Sequence, residues 1–314
     1  MNATAVAVET LAKPRRHVRS KPPADVFHVA YKAEKQPLSA VSSIARILVV
    51  FVAWSAAAAS QGKTVPAAHY TLVVGDDADA DVAFARRWLD AAEQLMAKKY
   101  RVVPERYHIS VQLLSRPVDD IDTTQSGQNR CCAIDDQGSR TGTIRFLGPS
   151  APIWKEQALL SSLGLPKSGE DYHAKVLMSE YIPIGHYAAQ DTRLTGGWTY
   201  YSAPQWFVQG LQEYDGIYHT TETNRTQTAA ALMRWARQNE QRFSCCVKGL
   251  DLVDSYNGGA AFMAFLAAEF GENMHARLLR NGSRSFDEAF TVETSPFSRM
   301  ELLERFRRFV RATR

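Results

Sequence analysis

Apolar residues recur with two different periods along this chain, and the change of period divides it. At 70–74, YTLVV is a short β-type run closed by Gly75, Asp76 and Asp77. From Asp79 the spacing changes. Val82, Phe84, Ala85, Trp88, Leu89, Ala92, Leu95 and Met96 follow at steps of three and four, which predicts an amphipathic helix reaching about Tyr100. Pro104 stops it, since a proline offers no N–H to continue the ladder. Residues 108–114 (HISVQLL) alternate as a second strand, 116–130 are polar and irregular, and 142–147 (GTIRFL) read as a third strand. Strand, helix, strand, strand implies a small α/β half built on a sheet.

Beyond Pro166 the period is helical. Helices are predicted at 171–181, 204–214, 226–239, 258–270, 274–279, 286–290 and 298–310. Pro204 suits a first helical turn, Gly271 a helix end, and Ser298 with Glu301 forms a capping box. No internal repeat and no linker-like cluster of Pro and Gly interrupts the body. The expectation is an α+β fold, a small N-terminal sheet with a mostly helical C-terminal lobe, in a single domain over 68–311.

Charge and composition adjust this picture at the N-terminus. Of 37 basic and 33 acidic residues, eight and three fall within 1–59, leaving 29 and 30 from Ser60 onward. The body is neutral, which argues against a nucleic-acid surface. Residues 1–43 read as a basic, disordered leader. The apolar run at 44–59, IARILVVFVAWSAAAA, then small and polar residues, has the order of a signal-peptide core. A leader of some 43 residues is long for such a signal, so an uncleaved anchor or a start site further downstream stays open. The expected localisation is therefore exported, periplasmic or secreted, with anchoring by 44–59 as the variant and membrane contact only through this segment.

Four cysteines stand as two adjacent pairs, Cys131-Cys132 and Cys245-Cys246. Their spacing fits neither a zinc ribbon nor a redox C-x-x-C. All four are disulfide candidates. A bridge between the pairs would close a long loop and stabilise by about 4–5 kcal/mol, less any strain. Free buried thiols, or a strained bond between neighbours, are the plainer alternatives.

Two segments carry a chemical pattern: VLMSEYIP at 176–183 and PQWFVQGLQEY at 204–214. Together they resemble the motif segments of gluzincin metallopeptidases, in particular the bacterial peptidase MA-like family, whose segments read V-L-x-H-E-x-x-H and P-x-W-x-x-E-G-L-A-E-Y. In that pattern two histidines four apart on one helix face and a glutamate from the next helix hold zinc, and the Glu beside the first His is the general base. The resemblance covers most of 68–311 and implies a gluzincin (zincin) architecture. It fails at each ligand. Ser179 and Pro183 stand at the histidine positions and Gln209 at the glutamate position. Glu180 keeps the general-base position, and Pro204, Trp206, Gly210, Leu211, Glu213 and Tyr214 are retained. Pro183 is also expected to break or kink the first helix.

The resemblance thus implies a peptidase-like domain that has lost zinc and hydrolysis. It would act as a binding module for a peptide or protein ligand, with no cofactor. His186, Trp198, Tyr201 and Glu213 are candidates for its cleft. Two alternatives belong to other classes. One is a divergent active metallopeptidase with zinc relocated to Glu180, His186 and Glu213; the other is a structural envelope protein. The plainer reading of Trp206, Phe207 and Leu211 is core packing, that of His186 a hydrogen-bonded histidine, and that of Trp198 and Tyr201 a surface loop packed by its own rings.

Overall fold

Rows of buried aliphatic side chains cross the N-terminal sheet in register. Leu72, Val111 and Ile144 form one row, and Val74, Leu113 and Phe146 the next. These rows fix which face of each strand is inward, because a slip of one residue would turn every one of them to the other side. The computed structural model describes residues 63–102, 107–118, 121–134, 140–156, 158–191, 197–245 and 249–313, all within one compact unit, Ala59–Arg314. The strands are β1 (Lys63–Pro66), β2 (Tyr70–Val74), β3 (Tyr107–Leu114), β4 (Gly127–Ile134) and β5 (Arg140–Leu147), in the order β1-β2-β3-β5-β4. The inner three run parallel; β1 and β4 pair antiparallel at the edges.

Helix α1 (Val82–Leu95) crosses from β2 to β3, turning Ala85, Trp88, Leu89 and Ala92 inward, and ends in a π turn at Met96–Tyr100. A one-turn helix at Ile153–Glu156 follows the sheet. Then come α2 (Glu170–Asp191), α3 (Gln205–Tyr218), α4 (Ala229–Asn239, preceded by a π turn at Asn224–Thr228), α5 (Asn257–Phe270), α6 (Met274–Arg280), α7 (Phe286–Thr294) and α8 (Arg299–Ala312). The expected capping box is present: Ser298 Oγ accepts from the Glu301 N–H, and the Glu301 carboxylate accepts from the Ser298 N–H. A five-stranded N-terminal sheet followed by a mostly helical region is an α+β architecture.

Three sequence expectations need correction. First, β1 and β4 add edge strands, and β4 begins inside the segment read as irregular. Its polar start, GQNR, carries no alternation, which suits an edge strand paired within the sheet on one side only. Second, α2 runs straight through Pro183. A proline inside a helix costs about 3 kcal/mol, largely through the lost bond to the carbonyl four residues earlier. Here the helix is wedged between neighbours: a Cβ on Gly185 would lie 2.3 Å from Met96 Sδ. Tertiary packing of this kind outweighs local propensity.

Third, the expected localisation is withdrawn. No helix among the described residues is long and apolar enough to cross a membrane. The leader at 1–43 and the apolar run at 44–60, on which that expectation rested, lie outside the described residues.

Candidate functional site

Helices α2 and α3 carry the two motif segments and pack against each other. Their crossing is close at Gly216, where an added Cβ would stand 2.2 Å from Ser179 Oγ and 2.9 Å from the Lys175 carbonyl oxygen. α3 is gripped as tightly on its other side. A Cβ on Gly210 would meet the Gly259 backbone of α5 at 2.4 Å, and one on Gly259 would meet the Trp206 carbonyl oxygen at 2.3 Å. Trp206, Phe207 and Leu211 are buried, and Trp206 packs on Phe262, Phe286 and Phe290. These residues of α3 therefore hold helices together.

Glu180 lies against the outer edge of the sheet. A Cβ on Gly127 of β4 would come 2.8 Å from Glu180 Cγ. The Asn129 backbone N–H donates to the Glu180 carboxylate, and the Asn129 side-chain amide donates to the Glu180 carbonyl oxygen at 2.6 Å. Burial first, and then the Glu213 charge, push the Glu180 carboxyl up to about 7, against the Asn129 bond and Lys175. Lys175 Nζ donates to Glu213 Oε2 at 2.5 Å, and each side chain keeps only 16% of its surface exposed. Burial alone would pull Lys175 down, but the adjoining Glu213 carboxylate holds it above its ordinary value. Tyr256, half exposed, completes the group. Burial, then the charges of Glu180 and Glu213, raise its hydroxyl. A cavity of about 190 Å³ opens beside Lys175 and Tyr172, walled also by Ser161, Asp171, Asn224 and Asn257.

The residues at the ligand positions do not fit a zinc ion. Ser179 is buried with its hydroxyl turned to Gly216, and the oxygen has no hydrogen-bond partner. Pro183 has no donor atom. The Gln209 amide donates to Gln205 Oε1 at 3.3 Å, and a neutral amide is a poor ligand for zinc. Among the described residues, no group of three His, Cys, Asp or Glu side chains is placed to hold a metal ion, so Glu180, His186 and Glu213 do not form one.

His186 belongs elsewhere. Because α2 continues past Pro183, six residues carry it about a third of a turn away from Glu180. It is fully buried, with Nε2 on Asp215 Oδ2 at 2.8 Å and Nδ1 on the Tyr200 hydroxyl at 3.1 Å. Asp215 is the hub of a buried network that the sequence analysis missed. It also accepts from Lys99 Nζ at 2.8 Å and from the Tyr100 hydroxyl at 2.5 Å, with His219 Nε2 at 3.4 Å. Burial by itself raises Asp215; the Lys99 charge and the His186 bond override it and hold the carboxyl well below the ordinary range. The one sequence signal was Asp215 itself, an acid within the otherwise apolar turn 214–217 (YDGI).

The remaining candidates separate. Trp198 is buried between Phe207 and Phe286, as core. Tyr201 is exposed, tilted over Tyr187, and its hydroxyl donates to the Cys131 carbonyl oxygen at 3.4 Å. Cys131 and Cys245 are each disulfide-bonded; the side chains of Cys132 and Cys246 lie outside the described residues. Compared with protein-family models and with curated proteins, the chain matches none.

Proposed function

We propose that this chain is a peptidase MA-like domain of gluzincin architecture that has given up zinc chemistry and binds an extended peptide. One observation carries the reading: the base position persists while the ligand positions cannot serve a metal. Glu180 remains beside the sheet edge, and Ser179, the first ligand position, is closed against α3 with its oxygen unpartnered. Without an activated water a carboxylate at this place has little to deprotonate, since bulk water has a pKa of ~15.7 against ~7 for water on zinc.

The surroundings favour a ligand of peptide type. β4 ends the sheet order, and an extended chain could add to this edge by taking the places of the Glu180 carboxylate on the Asn129 N–H and of the Tyr201 hydroxyl on the Cys131 carbonyl. Lys175, Glu213 and Glu180 add a paired and an unpaired charge beside that edge, and the cavity of about 190 Å³ next to Lys175 has room for one side chain.

The test is metal content together with amide exchange. Purified full chain should carry zinc far below one per molecule. A pool of random peptides should slow amide exchange along 127–131, with or without a chelator. Stoichiometric zinc, or peptide cleavage abolished by chelation, would sink the reading. Ser179→His, Pro183→His and Gln209→Glu together should still fail to bind zinc tightly, because the space at 179 is occupied by α3.

A further inference from the structure

On another face of α3, away from Glu180, a cavity of about 910 Å³ is lined by cations from three parts of the chain. Lys98, Lys99 and Arg101 come from the end of α1, Arg225 from the π turn before α4, and Arg277 and Arg280 from α6. With 29 basic and 30 acidic residues from Ser60 onward, the body as a whole is balanced. Six cations around one cavity are therefore a local segregation of charge.

Part of that charge is already matched. Lys99 is held by Asp215 at 2.8 Å, Arg277 by Glu293 at 3.0 Å, and Arg225 lies 3.7 Å from Glu222. Glu272, the acid in the lining, accepts from the Tyr214 hydroxyl at 3.2 Å. Lys98 and Arg101 are exposed to the cavity mouth and pair with no carboxylate among the described residues. One wall is aromatic: the half-buried Tyr218 ring is backed by the buried Tyr214 ring, with centroids 4.6 Å apart and planes 24° from parallel. Both π turns of the described chain, Met96–Tyr100 and Asn224–Thr228, border this space. Such turns are rare and concentrate at functional sites.

We infer that this cavity binds a phosphate monoester, with the phosphate held by Lys98 and Arg101 and a flat apolar body laid against the Tyr218 ring. A phosphate monoester carries close to two negative charges above its second pKa of ~6, and two unmatched cations suit a dianion. The arginine offers a planar fork of donors and the lysine a point charge, the two usual ways of gripping phosphate oxygens. Concave walls of low dielectric focus the field on the enclosed anion. The volume lies within the roughly 300–1,000 Å³ of small-molecule sites, larger than an inorganic anion needs. A nucleic-acid strand would call for a basic stripe across the surface, whereas the unmatched charge here is confined to one hollow.

The inference is independent of the peptidase-like reading and is tested separately. Full chain at pH 8 and fixed ionic strength is titrated calorimetrically with phenyl phosphate, inorganic phosphate and benzenesulfonate. Phenyl phosphate should bind one to one, about tenfold tighter than inorganic phosphate, which lacks the ring, and than benzenesulfonate, which carries one charge. Lys98→Ala with Arg101→Ala should weaken phenyl phosphate by about tenfold or more. Both positions are exposed, so the pair should melt as wild type does. Lys63→Ala with Lys155→Ala removes the same charge from positions outside the cavity and should leave binding unchanged. No heat with millimolar phenyl phosphate would overturn the inference. Equal loss in the two double variants would overturn it as well, reducing the effect to overall charge. Equal affinity for phenyl and inorganic phosphate would overturn the monoester assignment.

Discussion

Two groups of charged side chains hang on the same helix pair, and they are built in opposite ways. Around Asp215 every charge is buried and answered: one carboxylate takes bonds from Lys99, Tyr100 and His186. Around Glu180 the answers are incomplete. Lys175 is spent on Glu213, Glu180 receives the Asn129 N–H, and Ser179 next to it receives nothing. Buried polar networks that are fully satisfied rigidify a fold, while partly satisfied ones cost stability and persist where something other than stability retains them. The contrast teaches which of the two is architecture. Asp215 ties α3 to α2 and to the end of α1; Glu180 ties down little beyond the edge of β4.

The largest effect should come from breaking the satisfied side. Asp215→Asn leaves Lys99 as a buried, unanswered charge and should destabilise by about 3–5 kcal/mol in urea unfolding. An effect under about 1 kcal/mol would mean that the network is ornamental and the comparison empty.

Next in size is Glu180→Gln, with the opposite sign. The Glu180 carboxyl is raised to about 7 from an ordinary 4.5. A raised folded-state value favours the protonated form, so its contribution is fully present below pH ~4.5 and is lost as pH climbs through ~7. The substitution should therefore stabilise by on the order of 2 kcal/mol at pH 8 and by almost nothing at pH 4. A pH-independent change would show that Glu180 is not strained.

The smallest effect is expected at Ser179. Its hydroxyl is buried without a partner, so Ser179→Ala should be neutral or stabilising by up to about 1 kcal/mol in thermal unfolding. A loss of more than that would reveal a hidden bond and bring the two faces closer in kind.

Much of the fold was legible before the structure because it rests on local periodicity. The run from Val82 to Met96, the alternation at 108–114 and the Ser298–Glu301 cap each announce their own element. β4 was not legible, since an edge strand paired within the sheet on one side only needs no apolar alternation. The uninterrupted course of α2 was hidden for another reason. Pro183 is a local breaker, and what overrides it is packing against residues such as Met96 that are distant in sequence.

By itself the sequence determined the α+β class, the helical period of the segments around 180 and 209, and the poor metal-binding chemistry of the side chains at 179, 183 and 209, because residue type and spacing suffice for these. Only the tertiary structure decided what the residues of these segments do. Gly210 meets the backbone of Gly259, Tyr214 meets Glu272, and His186 meets Asp215. Those partners come from segments far apart in the chain, and no periodicity along it records which of them will meet.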